Sequence, residues 1–524
     1  MSNLMLGIDV GTSGLKAALL SSSGGVIAAA GEEYPTHHPY PNWAEQDAED
    51  WWRALCTAVH QVMASVTERK SPLAGVCISS QAPVIVPVAT DGRPLMRGML
   101  WLDKRAEGEC ALIREVIGER RIQEITANNL SSYLGAPSYV WLRRNHPDLF
   151  DQTYQFLMAN GYLNWRLTGR FTMDVSQAPL QLLYDVASGT WSDEILRALH
   201  LPVEKLPPVY HCLAIIGEVH KDAAHESGIP AGTPVLAGTT DTPAAMVGMG
   251  VLESGQAFVS HGTGCNIGLC VPEPWPSRHI VCIPHAVPGM WMLSAVMTSS
   301  GASMKWFVNY LCARERHDAV AARQDAYDWV DTDAKAAPPG SRGLLFLPYL
   351  MGEQSPIWDP DARGAFVGIS VDTTRGEMLR AIMEGVALGI RQNLQVYLDG
   401  GWEIHDIRTQ GGATKSRLWN QIVSDVVNRT VYVASSPNSA PLGDALLVGL
   451  ATGIYRSIKE LAAACPAPSA MHTPNPEAVA IYDQIYPIYK GLYGRLAESF
   501  HRLAVIRGMS LPWENTCKEQ RLTS

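Results

Sequence analysis

Two aspartates and three glycine turns are the residues of this 524-residue chain whose types and spacing suit chemistry. Asp9 lies near the end of an apolar run, Leu4–Val10, and Gly11-Thr12-Ser13-Gly14 follows at once. Asp241 closes Gly238-Thr239-Thr240-Asp241, after the apolar stretch Thr233–Ala237. The other glycine turns stand at 262–264 and 411–412. Glycines in a turn let backbone N–H groups converge, and Thr12 and Ser13 add hydroxyls, which makes a small anion nest. Three such cradles suit a polyphosphate nucleotide whose groups are held separately. Two carboxylates suit two jobs. One holds Mg²⁺, directly or through water. The other takes the proton from an attacking hydroxyl during phosphoryl transfer. Each aspartate also has a plainer reading. Asp9 can simply stabilise the turn of an ordinary hairpin. Asp241-Thr242-Pro243 can be a helix N-cap with proline in the first turn.

Strands and turns must carry these side chains. Two apolar runs around a short glycine turn predict a β-hairpin over residues 4–20. Val26–Ala30 continues it as a third strand. Ala48–Val66 is expected to be a helix with Trp51, Leu55, Val59 and Met63 on one face. Leu73–Ser80, Val84–Val88 and Met99–Leu102 read as strands, and residues 106–230 as mostly helical. Thr233–Ala237 and a small-residue helix, Ala244–Gly250, frame Asp241. From Ala257 to Leu269 the opening pattern returns, with Gly262-Thr263-Gly264 as its turn. One repeat at domain length predicts two related halves, each with one phosphate-cradling hairpin; the alternative is a chance likeness of two glycine turns. The second half continues with strand Trp291–Val296, a helix carrying Trp306, strand Gly343–Tyr349 and a long helix Glu377–Leu398. Ile407–Thr409 leads into Gly411-Gly412, then come helix Ser416–Asn428, strand Val431–Val433 and helix Pro441–Tyr455. The tail beyond Leu503 is loosely specified.

Composition narrows the class. Hydrophobic residues make up 47% and charged ones 18%, as in a globular protein with large cores. A net charge of −10 without long basic runs argues against nucleic-acid binding. The amino-terminal stretch lacks a secretory pattern, and no apolar run approaches the ~18 residues a membrane span needs. Ten cysteines without Cys-x-x-Cys spacing predict free thiols in a reducing, cytoplasmic setting. His-Glu-x-x-His is absent, so no zinc site is indicated. The P-loop, the Gly-x-Gly-x-x-Gly fingerprint, the Gly-x-Ser-x-Gly elbow and the protein-kinase set are absent too.

The ordered motifs resemble those of the FGGY carbohydrate kinases, within the actin-like, ribonuclease-H-like ATPase superfamily. Asp9-Val10-Gly11-Thr12-Ser13 is similar to the first phosphate motif, Gly238–Asp241 to the catalytic-aspartate motif and Gly262-Thr263-Gly264 to the second phosphate loop. Pro348–Glu353, Pro356 and Gly364–Gly368 match a family signature. Gly411-Gly412-Ala413, with Ser416 and Leu418-Trp419, matches the adenosine motif. The likeness covers roughly residues 4–490. Within the family the chain looks most like the xylulokinases, through Pro41–Asp47 and Leu100–Arg105. It departs from them twice. Gln81-Ala82-Pro83 stands where they usually carry Gln-Met-His, and Thr242 where they favour asparagine.

The resemblance implies an α/β fold of two actin-like ATPase (ribonuclease H-like) domains flanking a central cleft. Residues 1–250 would form the sugar-binding domain with the first phosphate hairpin and the catalytic aspartate. Residues 251–490 would form the nucleotide-binding domain, and 491–524 a helix end and tail. ATP and Mg²⁺ are the implied cofactors. Asp241 would be the base and Asp9 the metal-orienting carboxylate. Gly11, Thr12, Ser13, Lys16, Gly262, Thr263, Gly264, Trp306, Gly411, Gly412 and Ser416 would hold the nucleotide. Gln81, Ala82, Trp101, Asp103, Arg105, Asp241 and Thr242 would meet the sugar. The expected reaction is γ-phosphoryl transfer from ATP to a hydroxyl of a small sugar, D-xylulose first. Another ketose, a polyol or a sugar acid (ribulose, erythritol or gluconate class) is the alternative. A nucleotide-gated sensor without catalysis is a third reading, which the intact aspartate pair disfavours; a chaperone-type ATPase is disfavoured by the signature around 348–368. The expected partner is the sugar, with neither nucleic acid nor membrane, and a homodimer is a compatible assembly.

Overall fold

The computed structural model describes residues 3–66, 72–312, 314–315, 317, 327–436 and 438–509. They divide into two compact units. The first comprises Met1–Gln256, Leu269–Ser294 and Ala434–Pro468; the second comprises Ala257–Gly268, Ala295–Val433 and Ser469–Ser524. Beyond Leu503, where the sequence suggests a loosely specified tail, helix Pro476–Met509 continues without a break, and residues 510–524 lie outside the described residues.

The first unit is built on a mixed sheet. Its strands are β1 (Leu4–Val10), β2 (Gly14–Ser21), β3 (Val26–Glu33), β4 (Leu73–Ser80), β5 (Ile215–Glu218), β6 (Pro234–Leu236) and β7 (Thr239–Thr240). The order is β5-β6-β4-β1-β2-β3, with β7 also paired to β4. β1 is buried along its whole length, which explains an unbroken apolar run rather than an alternation. Successive side chains of a strand point to opposite faces. Accordingly Leu6, Ile8 and Val10 join a core with Trp51, Leu55 and Val59 of helix Ala48–Ala64, whereas Met5 joins Leu442 and Leu446 of helix Ala440–Ala451. Gly7 shares the face of Met5. A Cβ there would lie 2.0 Å from the Pro441 carbonyl oxygen, so only glycine lets this helix sit on the strand. The same helix crosses helix Asp241–Gly248 at backbone contact, since a Cβ on Gly443 would come within 1.8 Å of the Ala244 carbonyl oxygen. β3 is the outer strand and ends in Glu32 and Glu33, charges that discourage further pairing at an edge.

A second, seven-stranded sheet carries β8 (Gln256–His261), β9 (Cys265–Val271), β10 (Trp291–Met297), β11 (Asp406–Gly411), β12 (Val431–Val433) and β13 (Ala470–His472), in the order β10-β9-β8-β11-β12-β13, with Val281–Pro284 paired to the outer side of β10. Helix Arg375–Asp399 begins with a reciprocal Thr374–Glu377 cap. Helix Arg417–Val427 begins at Ser416, whose hydroxyl accepts from Trp419 N–H. Three strands are shorter than the sequence predicts: Val86–Val88, Gly98–Met99 and Leu345–Leu347. In the last case Gly343 sits at φ +89° in a tight turn, which ends the extended run. Among the described residues no helix is long and apolar enough to cross a membrane.

Candidate active site

In the first unit the candidate residues gather where parallel strands end, the usual place for a ligand on an open α/β sheet. β1, β4 and β7 run parallel, with Asp9 beside Ser79 and Thr239 beside Ser79 on its other side. Lys16 lies directly opposite Asp9 across the hairpin. Directly opposed residues share a face. The Lys16 ammonium donates to Asn438 Oδ1 at 2.9 Å and draws down the carboxyls of both Asp9 and Asp241.

Asp9 is 7% exposed, and burial together with the nearby Asp241 pushes its carboxyl up to about 7. Ser79 Oγ lies 3.3 Å from Asp9 Oδ1. Asp241 is raised too, chiefly by burial, while hydrogen bonds from Thr242 oppose the shift. The N-cap reading of Asp241 fails. Thr240 is the extended residue before the helix, makes no side-chain cap bond, and Asp241 is the first helical residue. Its Oδ1 accepts from Thr242 Oγ1 at 3.1 Å. Asp241 stands in the first helical turn, and its carboxylate also takes the Thr242 backbone N–H.

The turn at 11–14 is tied from several sides. Gly11 N–H bonds the Gly14 carbonyl. The Gly11 carbonyl accepts from Tyr34 Oη at 2.5 Å and from Gln81 Nε2 at 3.3 Å, and the Thr12 carbonyl accepts from Gln46 Nε2 at 2.6 Å. Two peptide planes are thereby fixed, the rigidity an amide-lined anion cradle needs. Thr12 Oγ1 donates to Gln81 Oε1 at 3.0 Å and is approached by Trp101 Nε1 at 3.4 Å. Thr12, Gln81 and Trp101 thus come together, with Ala82 next to Gln81 in the chain. Ser13 is exposed at the turn.

Asp103 and Arg105 bind each other instead of presenting free polar groups. Arg105 Nη2 meets Asp103 Oδ2 at 2.6 Å and Glu45 Oε1 at 2.7 Å, and its Nε meets Asp103 Oδ1 at 2.8 Å. Asp103 Oδ2 also accepts from Ala44 N–H. The guanidinium lies 3.5 Å from the Trp43 ring centroid. Its Nη1 alone is buried without a protein partner.

The second unit holds its own cavity of about 510 Å³, within the range of small-ligand sites. Gly262, Thr263, Gly412, Ala413, Ser416 and Trp419, expected to hold the nucleotide, line it. Gly264 and Gly411 lie behind this wall. Gly411 has φ +102°, and a Cβ there would lie 2.2 Å from the His261 carbonyl oxygen, so two glycine turns touch only because glycine is present. His261 is buried, which lowers its imidazole to about 4 and keeps it neutral, and its Nδ1 lies 3.3 Å from Ser300 Oγ. Trp306 is not in the wall. Its ring packs edge-on against Phe307, and Met304 and Lys305 line the cavity instead, a shift of one to two positions in helical phase. Asp331, which no motif flagged, accepts from Ser416 Oγ at 2.6 Å.

Sequence reasoning also missed the polar residues behind Asp9 and Asp241. Ser79 Oγ is 2.6 Å from Asp444 Oδ2, and Asp174 and Ser176 stand beside β7. Their one signal is that a buried strand end reads Ser79-Ser80-Gln81, where apolar residues would be expected.

Comparison with known proteins identifies the family of the chain. Residues 4–248 match the N-terminal domain of the FGGY family of carbohydrate kinases, and residues 257–452 match its C-terminal domain. The chain is 31% identical over 499 residues to the xylulose kinase of Escherichia coli (strain K12), spanning 94% of this chain and 99% of that one. It is 25% identical over 508 residues to the gluconokinase of Bacillus subtilis (strain 168), spanning 96% and 98%. The crystal structure of xylulose kinase from Rhodospirillum rubrum superposes with a TM-score of 0.89 at 27% identity, covering 95% of this chain and all of that one. Both halves match in order along one chain: the protein belongs to the FGGY family of carbohydrate kinases and is an ATP-using phosphotransferase.

Proposed function

We propose that this kinase phosphorylates a neutral ketose, D-xylulose first, with Asp241 as general base. The observation that carries the reading is the pair of neighbouring carboxylates, Asp9 and Asp241, both raised by burial and both acted on by Lys16. In the step, Asp241 takes the proton of the attacking hydroxyl as its oxygen bonds to the γ-phosphorus. The bond from that phosphorus to the β-bridging oxygen breaks, and ADP leaves with the electron pair. Thr12, Ser13 and Thr263 would contact phosphates, and Gln81 and Trp101 the sugar.

Mg²⁺ fits the residues present. Magnesium is commonly held by one or two carboxylates plus substrate phosphates and water. Asp9 supplies a carboxylate, and among the described residues no group of three or more His, Cys, Asp or Glu forms a dedicated cage. When bound, the ion would neutralise charge on the phosphates. The nine described cysteines are all free, which supports a reducing, cytoplasmic setting.

A neutral acceptor is favoured over a sugar acid because the Arg105 cation is already engaged by two carboxylates, Asp103 and Glu45. A second reading, another ketose or a polyol, rests on Gln81-Ala82-Pro83 and Thr242. The test is sugar-stimulated ADP release with D-xylulose, D-ribulose, erythritol and gluconate. The expected result is the highest kcat/KM with D-xylulose and at least tenfold less with gluconate. Preference for gluconate would overturn the neutral-acceptor reading, and no stimulation by any sugar would revive the sensor.

A further inference from the structure

Behind the strand that delivers Asp241 lies a buried polar network that the proposed chemistry does not use. Asp174, Ser176, Gln177 and Thr239 are fully buried, and Asn160 and Thr240 nearly so. Asp174 Oδ1 accepts from Ser176 Oγ at 2.5 Å and from the N–H groups of Ser176 and Gln177 at 3.0 and 3.1 Å. Its Oδ2 accepts from Asn160 Nδ2 at 2.8 Å. Ser176 Oγ spends its proton on Asp174 and turns its lone pairs toward β7. There it accepts from Thr240 N–H at 2.8 Å and lies 3.0 Å from Thr239 Oγ1. Gln177 Nε2 and Asn160 Oδ1 meet Ser80 Oγ, the residue beside Thr240 on β4, at 3.0 and 3.4 Å.

The consequence is geometric. β7 is two residues long and follows Gly238, whose φ of +85° lets the backbone press against Ile78; a Cβ there would lie 2.0 Å from the Ile78 carbonyl oxygen. So short a strand is fixed weakly by its ladder alone. A charge-assisted bond is stronger than a neutral one, and a buried acceptor aimed at a backbone N–H leaves little play. The charge-assisted Ser176–Asp174 bond fixes the Ser176 hydroxyl oxygen, and that neutral oxygen accepts from the Thr240 amide, one residue before Asp241.

We infer that Asp174 and Ser176 are positioning residues for Asp241, acting through the Thr240 backbone. This inference rests on the reading of Asp241 as base. A displacement of about 1 Å at a reacting group can cost on the order of a hundredfold in rate. A merely structural turn would lower stability and leave kcat of the folded enzyme unchanged.

The test is a double-mutant cycle on the full chain with ATP, Mg²⁺ and D-xylulose or the best acceptor found. Ser176→Ala is expected to lower kcat at least tenfold with both KM values within twofold, and Ser176→Thr to restore most of it. Adding Ser176→Ala to Asp241→Asn is expected to cost nothing further, because the residue it aligns is already inactive. Wild-type kcat in folded Ser176→Ala, or losses that multiply in the double variant, would overturn the inference. If Ser176→Ala does not fold, Ser176→Cys keeps the volume with a weaker donor and is read by the same criteria. Near-normal turnover in Asp241→Asn alone would instead sink the base assignment.

Discussion

Asp9 and Asp444 are bridged by one hydroxyl, that of Ser79, which lies 3.3 Å from the first and 2.6 Å from the second. A hydroxyl carries a single proton, so it cannot donate to two carboxylates. Burial, and then the charge of Asp9, raise Asp444 well above the usual carboxylate range. A protonated Asp444 donates to Ser79 and leaves the serine proton for Asp9. Asp444→Asn preserves a donor at that place and is expected to keep kcat within about twofold. Asp444→Ala leaves Ser79 without that partner and should cost about 1–3 kcal/mol. Urea unfolding of both variants checks this; equal losses would refute the protonated arrangement.

Asp241→Asn keeps the side chain's shape and removes its basicity. A positioned general base contributes about 10²–10⁴ in rate. Turnover should therefore fall by about that factor while ATP binding, measured by calorimetry, stays within twofold.

Glu353 gives stability a pH dependence of defined sign. Its Oε1 accepts from Thr298 and Gln354 N–H, its Oε2 is buried without a partner, and burial pushes the carboxyl up to about 7. Between about 4.5 and 7 the folded chain keeps a proton that the unfolded chain has released. Stability from this group is therefore greatest at acid pH and falls by about 3 kcal/mol as pH rises through that window. Glu353→Gln should flatten the slope and be more stable than the parent at pH 8. Melting temperatures at pH 5 and pH 8 provide the check.

Arg105 is balanced by Asp103 and Glu45 in a place where its side chain is 1% exposed. Arg105→Met strands two acidic groups, and breaking a buried pair from one side costs about 3–5 kcal/mol. Arg105→Lys keeps the charge without the planar fork and should fall between the two. Chemical denaturation of the three proteins ranks them.

The fold was legible where a pattern is local. The run Leu4–Val10 announced a buried strand, and four-residue spacing announced the helix with Trp51, Leu55 and Val59. The glycine turns and both aspartates stand out because they fall at the ends of apolar runs, where a turn-stabilising or helix-capping aspartate reads the same way. Partnerships across long separations were not legible. Asp444 sits in a helix that reads only as small and apolar, and its partner Ser79 is 365 residues away. Asp174 and Ser176 fall in a stretch that shows no periodicity beyond helix and loop. Arg105 and Asp103 look like free polar groups until Glu45, 60 residues earlier, is brought beside them. The cavity wall follows helical phase to Met304 and Lys305, which the sequence alone does not single out from their neighbour Trp306.

The face of β1 that carries Met5, Gly7 and Asp9 is covered by helix Ala440–Ala451, close to the far end of the chain. During synthesis at ~5–20 residues per second, that strand waits roughly 20–90 s for its cover. For all that time an apolar strand face and a carboxylate meant for the interior stand open to water and to other chains. The first unit is therefore begun first and finished late, so its window of exposure is set by the ribosome's pace over the second unit.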